Sequence, residues 1–132
     1  MKKLYLFVLF YLFSVPSQAS GPFDGIYMIS ANDFTIGYMT LREDANTNQM
    51  IAVILDPDPN ITWTALSARR VGNTAIFATI TGANTMDIDL TIRINFDSNH
   101  PNPTATIISC RDGATYSCIF PVGVTLNLIK TF

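Results

Sequence analysis

Residues 86–96 read MDIDLTIRINF, and their pattern decides the fold class. Every second residue is apolar, and the residues between are polar or charged. The apolar positions are Met86, Ile88, Leu90, Ile92, Ile94 and Phe96. An extended strand places alternate side chains on opposite faces, whereas a helix with about 3.6 residues per turn would mix them. The stretch therefore predicts a long β-strand with one face in a core and the other in water.

Seven further segments carry strand-like patterns and are separated by short turns. They are residues 23–30, 35–43, 49–56, 61–70, 74–81, 104–110 and 122–132. Thr, Ile and Val are frequent in them, and branching at Cβ favours pleated strands. Gly37, inside the second segment, indicates a bulge or a close backbone approach. No helical pattern follows the N-terminal segment, so we expect an all-β domain.

The short connections predict how these strands pair. Neighbouring strands joined by short turns pair antiparallel, as a meander. About eight strands over this length suit a small closed barrel or a two-sheet sandwich. The barrel is favoured because the connections look like successive hairpins and because closure removes exposed sheet edges. In strand count and meander order alone, this architecture is similar to lipocalin-like and avidin-like barrels, and the chain carries no binding motif of either family.

The N-terminal segment, residues 1–19, is typical of an export signal. Lys2 and Lys3 precede the apolar run 4–13, and small residues at 17 and 19 occupy the positions that a signal peptidase reads. A retained membrane anchor is the alternative, but the run is shorter than the about 20 residues that span a bilayer. We expect cleavage after Ala19, or a residue or two later. A single domain, residues 20–132, would then reach the periplasm or the medium.

Cys110 and Cys118 are the two cysteines of the chain. An exported chain meets an oxidising compartment, so we expect them to form a disulfide bond across a short loop with a turn at Asp112-Gly113. A redox-active pair is the alternative, but the spacing differs from the C-x-x-C of thioredoxin-type motifs. No further metal-ligating residues lie nearby, so a metal site is not predicted.

The charge of the chain makes some partners improbable. The whole chain carries eight basic and ten acidic side chains. Loss of Lys2 and Lys3 with the signal leaves six basic side chains and a net charge of −4. No stretch is basic enough to hold a phosphate backbone, so nucleic acid is not an expected partner.

Few residues suggest chemistry. His100 is the only histidine, and no nucleophile lies near it in sequence. Asp87 and Asp89 share one strand face, where solvated carboxylates are more common than an acid–base pair. Residues 56–60 (DPDPN) resemble the opening of a calcium loop, but Ile61 stands where that loop needs glycine. We therefore expect no enzyme activity, no cofactor and no metal.

Aromatic residues in successive strands are the candidate ligand contacts, and core packing is the alternative reading. They are Tyr27, Tyr38, Trp63 and Phe77. We expect a binding module that holds a protein or polysaccharide partner through the proline-containing loops 56–60 and 97–103. The alternative is a barrel that binds a small apolar ligand. Most strands look too short to cross a bilayer, so we expect the mature domain not to be membrane-embedded.

Overall fold

The chain folds into a closed antiparallel β-barrel in the computed structural model, which describes residues 20–55, 63–84, 87–97, 99–100 and 102–132. Each strand pairs with its neighbours in sequence, and β1 pairs with β8 to close the barrel. The strands are β1 (Gly25–Ala31), β2 (Phe34–Asp44), β3 (Gln49–Leu55), β4 (Trp63–Val71), β5 (Thr74–Asn84), β6 (Asp89–Asn95), β7 (Thr104–Arg111) and β8 (Thr125–Lys130). This confirms the all-β meander and selects the barrel over the sandwich. The described residues form no helix that is long and apolar enough to cross a membrane.

The stretch 86–96 behaves as its alternation predicts, over a shorter length. Strand β6 spans Asp89–Asn95, and Ile92, Ile94 and Phe96 are buried on the inner face. Asp87 lies before the ladder begins, because its carboxylate binds a loop at the end of the barrel. The predicted signal segment 1–19 and the loop 56–60 lie outside the described residues.

Strand register shifts at three places in the barrel wall. Between β1 and β2, Ile29 pairs with Gly37 and Ser30 with Thr35, so Ile36 is the extra residue of a bulge beside Gly37, as the glycine predicted. A second one-residue bulge lies between β6 and β7, and a larger irregularity separates the pairs Thr64–Asn84 and Leu66–Thr79 of β4 and β5. A bulge adds one residue to one strand, which increases local twist and helps a sheet to close.

The inward-facing side chains fill most of the barrel. The largest of those that are fully buried are Tyr27, Phe77, Phe96, Met39 and Met50. They interdigitate with aliphatic residues from every strand to form one hydrophobic cluster. A barrel of eight strands is just wide enough for side chains to fill it.

Residues 20–24 lie across one end of the barrel, which we call the closed end. The Phe23 ring stacks on Phe96 at 4.3 Å between centroids, and the Arg70 guanidinium lies 5.2 Å from the centre of the same Phe23 ring. Arg70 also donates from Nε to the fully buried Glu43 carboxylate at 2.6 Å. An aromatic stack and a buried ion pair therefore seal this end.

Candidate functional site

The opposite end of the barrel, the open end, contains an apolar cavity of about 160 Å³. Its walls are inward-facing side chains from the upper parts of the strands. They include Ile36, Met39, Ile54, Leu90, Ala105 and Leu126. The unpaired residue of the β2 bulge, Ile36, thus contributes to the cavity, so the bulge shapes the site as well as the sheet.

The roof of the cavity is the mouth loop, residues 112–124, which joins β7 to β8. Tyr116, Ile119 and Phe120 of this loop line the cavity from above, together with the Cys110–Cys118 disulfide. This bridge confirms the predicted pairing and fits an oxidising compartment. The loop carries no regular secondary structure, so its position depends on these few attachments.

Polar groups complete the attachment of the mouth loop. Asp87 accepts hydrogen bonds from the Thr115 and Tyr116 backbone N–H groups at 2.8 and 3.0 Å. Asp112 accepts one from the Cys118 N–H at 2.7 Å. A Cβ atom at Gly113 would lie 2.0 Å from the Asp87 carboxylate, so only glycine allows this close approach.

The Asp87 carboxylate is stabilised in its charged form. Partial desolvation raises its pKa, but the hydrogen bonds from the backbone of Thr115, Tyr116 and Ala114 outweigh this effect. The net pKa is therefore below the usual 3.8 for aspartate. Asp87 is consequently ionised, and able to accept these bonds, throughout the neutral range.

Exposed apolar side chains lie at the open end of the barrel. Ile119 of the mouth loop borders the cavity and is 75% exposed, and Val122 of the same loop is 63% exposed. Phe34, at the β1–β2 turn at the same end of the barrel, is 75% exposed.

The structure does not bring the four predicted ligand contacts together, and none of them lines the cavity. Tyr27 is buried towards the closed end, where its hydroxyl donates to the Phe23 carbonyl at 2.7 Å. Phe77 is fully buried in the core. Tyr38 and Trp63 lie on the outer face, in one row with Leu55 between them. Their predicted role stays a prediction.

Burial changes the chemistry of Tyr27. Desolvation, and secondarily the negative charge of Asp24, raise its pKa to about 12. The hydroxyl therefore stays protonated over the whole physiological range. It acts as a hydrogen-bond donor within the core.

None of the residues considered for catalysis lines the cavity. His100 is exposed, and its Nδ1 lies 3.3 Å from the Asp97 carboxylate. The hydrogen bond from the Asn99 N–H, together with the nearby histidine, lowers the pKa of Asp97. Asp89 is exposed on β6, whereas the Asp87 carboxylate accepts hydrogen bonds from the backbone of the mouth loop. Among the described residues no group of His, Cys, Asp or Glu is arranged to hold a metal.

Sequence reasoning missed the residues that form the cavity. A signal was present, because two large apolar residues, Ile119 and Phe120, directly follow the second cysteine in a loop. A disulfide that holds large apolar residues near one end of a barrel indicates that these residues cover that end.

Comparisons with protein-family models, curated proteins and solved structures found no match.

Proposed function

We propose that this protein is an exported binding module that holds a partner protein at its open end. The partner would insert one apolar side chain into the cavity under the mouth loop. The observation that carries the proposal is an apolar cavity at the open end, where apolar side chains are also exposed to solvent. The export signal predicted at residues 1–19 and the disulfide support action in the periplasm or outside the cell.

The size of the cavity supports a single side chain. An apolar cavity of about 150 Å³ accepts a molecule as large as benzene, which matches the ring of a phenylalanine. Ligands of drug size need about 300 Å³ or more. The cavity volume of about 160 Å³ falls in the first range. One buried apolar side chain contributes roughly 1.5–3 kcal/mol, and a few such contacts carry most of the energy of an interface.

The rim would supply the remaining contact area. Ile119, Val122 and Phe34 are exposed in the free protein and would be covered by the partner. Protein interfaces commonly surround a buried anchor with contacts that exclude water. The disulfide and Asp87 keep the mouth loop in place beforehand, which lowers the ordering cost of binding.

A small apolar molecule is the second candidate occupant. The almost wholly apolar lining favours it, because such a cavity stays dry and binds uncharged molecules. Benzene, followed by NMR shifts of the Ile119 and Leu126 amides, is a suitable probe. Binding of benzene without any protein partner in the crosslinking experiment would favour this second function.

Site-specific photocrosslinking in the native host tests the proposal. A photoreactive side chain at position 119 should give a discrete protein adduct. The matched control is position 71, since Val71 is 78% exposed on a hairpin at the closed end. The adduct should disappear when Ala105→Leu fills the cavity. No adduct from position 119, or the same adducts from both positions, would contradict the proposal.

A further inference from the structure

The outer face of strands β2–β4 carries a groove of about 580 Å³, near the closed end. The groove is separate from the cavity and opens directly to solvent. Its side chains form two rows that run across the three strands. The rows are Arg42–Ile51–Ser67 and Asp44–Gln49–Arg69. These residues are all exposed and alternate with inward-facing ones, which identifies the outer face.

The exposed charge in the groove is opposite in sign to that of the chain, which has a net charge of −2. Two carboxylates border the groove, but Glu43 is fully buried and bound to Arg70, so Asp44 is the exposed carboxylate beside Arg42 and Arg69. Asp44 is also engaged, because it accepts hydrogen bonds from the Asn46 N–H and the Thr47 hydroxyl at 2.9 Å each. The groove therefore offers two guanidinium groups beside a carboxylate that is already occupied.

The side chains of these two arginines make few interactions within the described part of the protein. Arg42 lies 3.9 Å from Asp24, with its side chain 64% exposed, and an ion pair of this kind is weak. Arg69 has no ion pair or hydrogen bond from its side chain within the described part of the chain. Both guanidinium groups thus keep their paired N–H donors for a ligand, and such donors match a carboxylate in a planar, two-bond geometry.

The remaining groups of the groove suit a sugar ring. The side chains of Gln49, Asn46 and Ser67 are amide and hydroxyl groups that both donate and accept hydrogen bonds, as sugar hydroxyls do. Ile51, between the two arginines, is 55% exposed and gives the floor an apolar centre. A pyranose ring has an apolar C–H face and a hydroxyl-bearing edge, so it matches an apolar floor with polar walls.

We infer that the outer groove binds an acidic polysaccharide through a carboxylate-bearing sugar. Arg42 and Arg69 would hold the carboxylates, Ile51 would contact the ring face, and the amide side chains would bind its hydroxyls. The volume lies within the range of about 300–1,000 Å³ that is usual for ligand sites. This inference is independent of the proposed function, since it uses a different face of the barrel.

Calorimetric titration of the mature protein with a galacturonate tetramer tests the inference. The matched neutral probe is a tetramer of glucose. The acidic tetramer should bind, more weakly as salt rises, and the neutral tetramer should not. Arg69→Gln and Arg42→Gln should each weaken binding by about tenfold, because each removes a charge-assisted contact.

The control variant is Arg93→Gln, which removes the same charge from the outer face of β6, away from the groove. It should leave the affinity unchanged. Equal weakening by Arg93→Gln and Arg69→Gln would overturn the inference in favour of diffuse charge attraction. Equal binding of the glucose tetramer and the galacturonate tetramer would overturn the inference as well. Binding of inorganic phosphate or of anionic lipid vesicles, without the acidic tetramer, would also overturn it. Crosslinking from position 119 should be unaffected by these variants.

Discussion

The two ends of the barrel differ in how they are filled and held. At the closed end, large side chains, an aromatic stack and the buried Glu43–Arg70 pair occupy the interior. At the open end, small and aliphatic residues leave a cavity under an irregular loop. The same inward-facing alternation runs through both ends, so the difference comes from side-chain size and from the segments beyond the strands. The closed end is thus sealed by packing and an ion pair, whereas the proposed binding surface lies at the open end.

Removal of Arg70 should have the largest effect on stability. Arg70→Met leaves the fully buried Glu43 carboxylate without its partner, and such a loss destabilises by about 3–5 kcal/mol. Chemical denaturation measures it. The matched control is Arg69→Met, an exposed neighbour, which should change stability by less than about 0.5 kcal/mol. Equal losses in both variants would show that the buried ion pair is not what seals the closed end.

Loss of the disulfide should have the next largest effect, and it should be local to the open end. The Cys110→Ser, Cys118→Ser double variant removes a cross-link that closes a short loop, at about 2.5 kcal/mol on the chain-entropy model. Amide hydrogen exchange should accelerate in the mouth loop and not around Phe96. Acceleration over the whole barrel would contradict a separate role for the two ends.

The predictable part of the fold was the direction in which each side chain points. Alternation in residues 86–96 placed Ile92, Ile94 and Phe96 inside, and the structure confirms this. The same alternation shows that the Tyr38 side chain faces outward, because the adjacent Met39 side chain faces inward. Alternation does not give the height of a residue along the barrel. That height depends on register, and the register shifts at three places here.

The candidate site was less predictable for this reason. Tyr27 and Phe77 face inward as an aromatic lining would, but their heights place them in the filled part of the interior. The role of Asp87 depends on a loop 28 residues further along the chain, and no local pattern indicates it. Long-range hydrogen bonds of loops are fixed by the whole fold rather than by neighbouring residues.

Ionisation of Tyr27 should weaken the closed end at high pH. Its pKa is raised from 10.0 to about 12 in the folded protein. The contribution of the un-ionised Tyr27 hydroxyl to the free energy of unfolding is therefore complete below pH 10. This contribution, roughly 2 kcal/mol, is lost as the pH rises towards 12. Phenolate absorbance should show one tyrosine that ionises near pH 12. Tyr27→Phe should lack that step, and its persistence would assign the late titration elsewhere.

Asp87→Asn should have the smallest effect, confined to the mouth loop. An asparagine oxygen accepts hydrogen bonds more weakly than a carboxylate, so the Thr115 and Tyr116 N–H groups should exchange faster. The wild-type loop should loosen in the same way in acid. Because the folded pKa of Asp87 is lowered, its contribution is present above the usual value of 3.8 and is lost as the pH falls through the folded pKa.

The NMR shifts of the Thr115 and Tyr116 amides measure this acid transition directly. They should move together below pH 3.8, with the Asp87→Asn variant insensitive over the same range. Asp89→Asn is the matched control, since Asp89 is exposed at the start of β6 and, among the described residues, its side chain makes no hydrogen bond to the mouth loop. If Asp89→Asn accelerated exchange of these two amides as much as Asp87→Asn, general charge near the mouth would hold the loop. The open end would then lack the specific polar attachment that distinguishes it from the closed end.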